Sequence, residues 1–280
     1  MKLGIAMFPA DFAIRPDELA RAVEERGFES LFLPEHTHLP ATERTRAEVG
    51  DLPAHFARTH DLFVALGHAA AATRELLVAS GICLLAQRDP IVTAKAVASL
   101  DALSGGRVLF GVGAGWITEE VANHGVAPER RWAVLAERVK AMRAIWADEI
   151  AEFHGAHVDF GPLWSWPKPH RRSGPPVLVG GSGPHVLRRV LDFGDEWMPH
   201  AGMPMAELSA RITALRAAAR DAGRARVPVT VFGADADAAA LEDLHETGVD
   251  RAVLYAPPAD AATVHRFLDA AAPLVARFQH

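Results

Sequence analysis

The chain has 280 residues, half of them hydrophobic, a formal net charge of −6 and one cysteine. That is apolar material for a large core, and mild acidity gives no footprint for nucleic acid or an anionic membrane. No apolar run reaches the ~18 residues of a membrane span, the opening MKLGIAMFPADF lacks a signal-peptide pattern, and a lone Cys83 excludes an internal disulfide and suits a reducing, cytoplasmic compartment.

Lys2–Phe8 reads as a first strand and Pro16–Arg26 as a helix, with Asp17 and Glu18 in its first turn and Gly27 as its stop. Glu29–Pro34 is a second strand, Thr37–Thr59 a long polar loop and Asp61–Thr73 a second helix. Leu76–Leu85 and Val108–Val112 are too continuously apolar to be half-exposed strands, so both read as buried parallel strands three and four. The helix between them opens at Asp89-Pro90 and closes at Ser104-Gly105-Gly106. Another helix starts at Pro128, with Trp132, Leu135, Val139, Met142 and Trp146 along one stripe, so both tryptophans are expected in the core. Phe153–Lys168 has hairpin character, and Trp164 and Trp166 are expected over the barrel mouth or at a subunit contact. Pro176–Val179, Glu196–Met198, Val229–Gly233 and Ala252–Tyr255 complete eight strands alternating with helices. That alternation predicts a (β/α)8 TIM barrel, and no linker divides residues 1–280, so one domain is expected.

Barrel chemistry sits on the loops after the strands. Gly111, Gly113 and Gly115 alternate after strand four, leaving bare backbone that a ligand can approach. Gly180-Gly181-Ser182-Gly183 lies between strand five and a helix that Pro184 begins, where N–H groups suit a phosphate. Glu35-His36 ends strand two, and histidine exchanges protons near neutral pH. An acidic neighbour raises a histidine's pKa, so Glu35 is expected to tune His36.

Four motifs in order, LFLPEH (31–36), LDALSGGR (100–107), GVGAGW (111–116) and VGGSGP with FGDEWMP (179–199), resemble the luciferase-like monooxygenase superfamily. The resemblance is to its branch using the deazaflavin coenzyme F420, with the bacterial luciferase-like barrel. It implies a hydride-transferring oxidoreductase acting with F420 on a small-molecule substrate, assembled as a homodimer. Glu35-His36 resembles that branch's Asp-His pair, one methylene longer, with the carboxylate at the ring or its chain and His36 beside the reacting carbon. Gly81 and Ile82 fall where the superfamily carries a bulge with a cis peptide, a backstop behind the ring. Gly113, Ala114 and Gly115 are implied at the ring edge or phosphoribityl arm, and Gly180, Gly181, Ser182 and Gly183 at the phosphate. Trp116 stands where relatives that oxidise sugar phosphates carry a glutamate base, which points to an apolar or aromatic substrate; His200 is a further substrate-pocket candidate. Arg44, Arg46, Arg58 and Arg88 lie in loops suited to the coenzyme's anionic tail.

An FMN-dependent monooxygenase is the alternative, since FMN shares the ring-plus-phosphate shape. A barrel that has lost its cofactor is disfavoured by the intact glycine loops. A metal hydrolase is disfavoured because His36-x-His38 follows strand two, while strand one ends FPAD and strand five ends in glycines; no metal is expected. Cys83 reads as a small buried hydrophobe, not a nucleophile.

Overall fold

Short apolar runs supply every strand of the central sheet in the computed structural model, which describes residues 1–278. In chain order these are β1 (Lys2–Ala6), β2 (Ser30–Leu33), β3 (Leu77–Ser80) and β4 (Val108–Val112). An antiparallel hairpin, β5 (Ala151–His154) and β6 (Asp159–Leu163), precedes β7 (Val177–Gly180), β8 (Glu196–Met198), β9 (Thr230–Ala234) and β10 (Arg251–Tyr255). The sheet runs β8-β7-β4-β3-β2-β1-β10-β9, all neighbours parallel. Bridges from Trp197 to Val229 and from His200 to Phe232 bring its two edges together, closing the expected barrel.

Helices cover the outside: α1 (Pro16–Glu25), α2 (Glu43–Val49), α3 (Leu62–Ala71), α4 (Pro90–Ser104), α5 (Thr118–Asn123), α6 (Arg131–Ala147), α7 (Val186–Phe193), α8 (Met205–Asp221), α9 (Ala238–Glu246) and α10 (Ala261–Phe278). Asp61, Asp89 and Asp237 cap α3, α4 and α9 by accepting N–H groups of the first turn. Gly105 ends α4 in the left-handed conformation, at φ +71°. No helix among the described residues is long and apolar enough to cross a membrane.

Two apolar layers form because each strand buries both faces. One face packs on the helices, through side chains such as Leu3, Ile5, Val78, Phe110 and Val177. The other fills the barrel with Ala6, Phe32, Ala79, Leu109, Leu178, Met198, Phe232 and Val253. At the N-terminal ends of the strands Arg251 bonds Glu29, Glu196 and Thr230, a polar plug under the apolar filling. Chemistry is thereby left to the opposite end.

Four sequence expectations shift. The third strand ends at Ser80, not Leu85: the chain crosses toward β4, with Cys83 N–H donating to Gly111 O at 2.8 Å and Gly113 N–H to Cys83 O at 2.9 Å. The supposed polar loop 37–59 holds α2 and a 3-10 turn at Ala54–Ala57. The helix expected from Pro184 begins at Val186. Trp164 and Trp166, 73% and 60% exposed, are not in the lining of the mouth, the first of the two places expected for them, and their segment is tied to α4 by Lys95 donating to Trp166 O.

The LSGGR motif has a mechanical role. Arg107 spans α3, α4 and β3, donating to Ala70 O and Leu76 O at 2.7 Å and to Ser104 O at 2.9 Å. Arg107→Ala strands those carbonyls and is expected to lower unfolding free energy by roughly 2–3 kcal/mol in urea denaturation, with ligand binding at the far end of the barrel unchanged.

Candidate active site

The C-terminal ends of the strands surround a cavity of about 520 Å³. Strand β2 delivers Glu35 and His36; β3 delivers Gly81 and Ile82; β4 delivers Gly113, Ala114, Gly115 and Trp116. Gly180 and Gly181 follow β7, and Met198 and His200 close the wall from β8. Phe8, Phe232 and Tyr255 line the β1, β9 and β10 side, with Phe56 and Trp132 reaching in from outside the sheet. Ser182 and Gly183 are not in the lining; they continue the β7 loop out of the cavity.

The floor is bare backbone beneath one aliphatic side chain. A Cβ on Gly113 would stand 1.8 Å from Ile82 Cδ1, and one on Gly180 3.1 Å from Ile82 Cγ2. Ile82 therefore lies across both glycines, and only glycine leaves it that room. The Gly81–Ile82 peptide is cis. Beyond the floor, the carbonyls of Gly181, Ser182 and Gly183 are taken by Trp197 Nε1 and Arg211. The N–H groups of Ser182 and Gly183 have no partner among the described residues, so the loop turns donors outward beside a guanidinium.

His36 is seated by contacts far away in sequence. Its Nδ1 lies 2.8 Å from Glu120 Oε2 on α5, both side chains being buried. Helix α5 is short and is held against the β2 exit loop by polar contacts. Thr37 Oγ1 lies 2.8 Å from His124 Nε2, His38 Nε2 lies 2.9 Å from Asn123 Nδ2, and Thr42 and Thr45 donate to Glu119. Thr59 Oγ1 donates to His36 O at 2.7 Å, fixing the backbone as well. His36 Nε2 has no partner among the described residues and is the nitrogen left for the cavity.

Glu35 does something else. Its carboxylate accepts the Leu84 N–H at 2.7 Å and a fork from Arg88, with Nε 3.0 Å from both oxygens. Arg88 also reaches Asp61, the cap of α3, at 3.1 Å. Glu35 is thus already engaged by the protein, and the carboxylate facing His36 is Glu120. The expectation that Glu35 tunes His36 is corrected accordingly. Arg88 is likewise not a free rim cation, and Arg46 and Arg58 pair with Asp51 and Asp11; Arg44 is exposed on α2.

Trp146 is core as expected, but Trp132 is not: it lines the cavity under Arg189, whose Cζ sits 3.8 Å from the ring centre. Burial pushes the His200 imidazole below its ordinary pKa and the Tyr255 phenol above its own, so both favour their neutral forms. Cys83 is fully buried, and burial holds its thiol well above the usual range, far from nucleophile chemistry. His38 faces Asn123 and not the cavity, and no metal-holding group of His, Cys, Asp or Glu converges among the described residues.

Sequence reading missed Glu120, Phe56, Phe8, Tyr255 and the positions of Trp132 and Arg211. Phe8, at the end of the first strand, and Glu120, four residues after the GVGAGW motif, were the findable ones.

The family model described as luciferase-like monooxygenase matches residues 15–277. An uncharacterized protein of Mycobacterium tuberculosis is 43% identical over 187 residues, 65% of this chain and 66% of that one. The chain thus spans about two thirds of the length of that curated relative. A monooxygenase from Streptomyces bottropensis superposes with TM-score 0.81 at 19% identity, covering 100% of both chains. An F420-dependent secondary alcohol dehydrogenase, solved with an F420-acetone adduct, gives 0.77 at 21% identity over 98% of this chain and 99% of that one. At these identities the two structures share the fold with this chain.

Arg88→Ala leaves the Glu35 carboxylate, 2% exposed, without its cation. The expected result is a loss of about 3–5 kcal/mol in urea unfolding, the cost of an uncompensated buried charge. The paired change Arg88→Ala with Glu35→Gln recovers part of it.

Proposed function

The chain belongs to the luciferase-like monooxygenase family, and on that premise we propose that it is an oxidoreductase moving a hydride between coenzyme F420 and a small organic substrate. The observation that carries this reading is His36, buried, oriented by Glu120 at 2.8 Å and left with Nε2 at the cavity.

The residues fit a flat ring with a phosphate-bearing arm. Ile82, packed close against Gly113 and Gly180, offers an apolar surface for the ring to lie on. The outward N–H groups of Ser182 and Gly183, beside Arg211, suit phosphate oxygens. When bound, a deazaflavin supplies or accepts a hydride. The protein's task is then the proton. Interconverting an alcohol and a ketone moves one proton at oxygen for each hydride at carbon. His36 Nε2 is the group placed to exchange it, while Glu120 accepts from Nδ1–H and holds the imidazole in orientation. The apolar walls exclude water from that exchange.

Equilibrium binding followed by fluorescence, with F420 and FMN in parallel, tests the cofactor. F420 is expected to bind more tightly; preferential binding of FMN overturns the assignment in favour of a flavin-dependent monooxygenase. With a turned-over substrate, His36→Ala is expected to lower kcat by about 10²–10⁴ and to leave cofactor affinity unchanged. Normal turnover by that variant removes His36 from the chemical step.

A further inference from the structure

The cavity's walls specify what can lie beside His36. The His36 ring meets Trp116 at 6.2 Å and 77°, and Phe56 at 5.4 Å. Phe56 in turn meets Trp116 edge-on at 6.3 Å and Phe8 at 4.8 Å, and Phe8 meets Tyr255 at 6.3 Å. These rings come from separate segments: the ends of β1 and β10, the 3-10 turn before α3 and the loop before α5. Their convergence is a tertiary feature with no local folding reason. Trp116 remains 48% exposed, a large apolar face left partly to solvent at a cavity rim.

The charges point the same way. None of the described lining residues is Lys or Arg. The one lining carboxylate, Glu35, is engaged by Arg88, and Glu120 lies behind His36. A carboxylate, sulfonate or phosphate on the substrate would lose its water here and find no cation in return. The anion-suited donors of Ser182 and Gly183 lie outside the lining.

We infer that the substrate is an uncharged, flat ketone or its secondary alcohol, aromatic or alicyclic. Its oxygen sits at His36 Nε2 and its face against Phe56 and Trp116, with Trp116 a specificity-determining residue that excludes anions. This rests on the oxidoreductase reading for its carbonyl chemistry, while its selection by shape and charge is a binding property.

Calorimetric titration separates the two. The probes are 2-tetralone, a flat neutral ketone, and 2-naphthoate, an anion of similar outline, titrated into protein saturated with oxidised F420 and, in parallel, FMN. The oxidised cofactor cannot reduce the ketone, so binding alone is read. The expected result is binding of 2-tetralone at least about tenfold tighter than 2-naphthoate, the factor that ~1.4 kcal/mol represents. Trp116→Ala should weaken 2-tetralone about 2- to 10-fold, the span of one aromatic contact, and Trp116→Arg should shift the preference toward 2-naphthoate. Equal or tighter binding of 2-naphthoate by the unmodified protein, binding of neither probe, or unchanged affinities in Trp116→Ala overturns the proposal. The same titration on cofactor-free protein separates the readings: selective ketone binding where neither F420 nor FMN binds overturns the oxidoreductase reading and the carbonyl chemistry with it, and leaves only the selection by shape and charge standing.

Discussion

The buried carboxylate of Glu35 is the point around which the mouth of the barrel is assembled. It ties three pieces of chain together: the exit of β2, the crossing after β3 through Leu84 N–H, and the start of α3 through Arg88 and Asp61. A carboxylate taken out of water is tolerable only with such complete pairing. Once it is paired, the next residue, His36, is fixed on one side and Ile82, two residues before Leu84, on the other. The acidic residue therefore shapes the site from its lining, with its charge taken up by Arg88.

A second constraint divides labour between charges. Glu120 is the carboxylate that His36 sees, and it is delivered by a helix whose remaining polar side chains hold it to the β2 loop. His200, the other histidine in the cavity, is pushed toward its neutral form by burial. One histidine thus has an acidic partner and the other does not, which sets the histidine proposed for proton exchange apart from the other in its surroundings. Around both, glycine at 113 and 180 makes room for Ile82, so the placement of that side chain is as much a sequence requirement as the histidine is.

The barrel was legible because its signals are local. Apolar runs punctuated by Asp-Pro and Gly-Gly place strands and helices without knowing what they touch. The run Leu76–Leu85 misled at its end, since apolar continuity does not record where a chain leaves the sheet and crosses to a neighbour. Thr37–Thr59 misled because its polar residues mask Phe56, which is useful only where it meets Phe8 and Trp116. The three- and four-residue spacing around Trp132 marks a helix stripe but not which end overhangs the cavity. The glycine loops and Glu35-His36 could be read as motifs, yet the partner of each charge could not. Glu120 is 84 residues from His36 and Arg88 is 53 from Glu35, and such pairings belong to topology.

A crystal structure with bound F420 tests the central claim most directly, because it reads the position of the ring against His36 and Ile82 together. The account predicts the ring on Ile82 above Gly113 and Gly180, the phosphate at Ser182 and Gly183, and His36 Nε2 facing the reacting edge with Glu120 still on Nδ1. A ring bound at another cavity, or His36 turned away from Glu120 and out of reach of the ring, contradicts it.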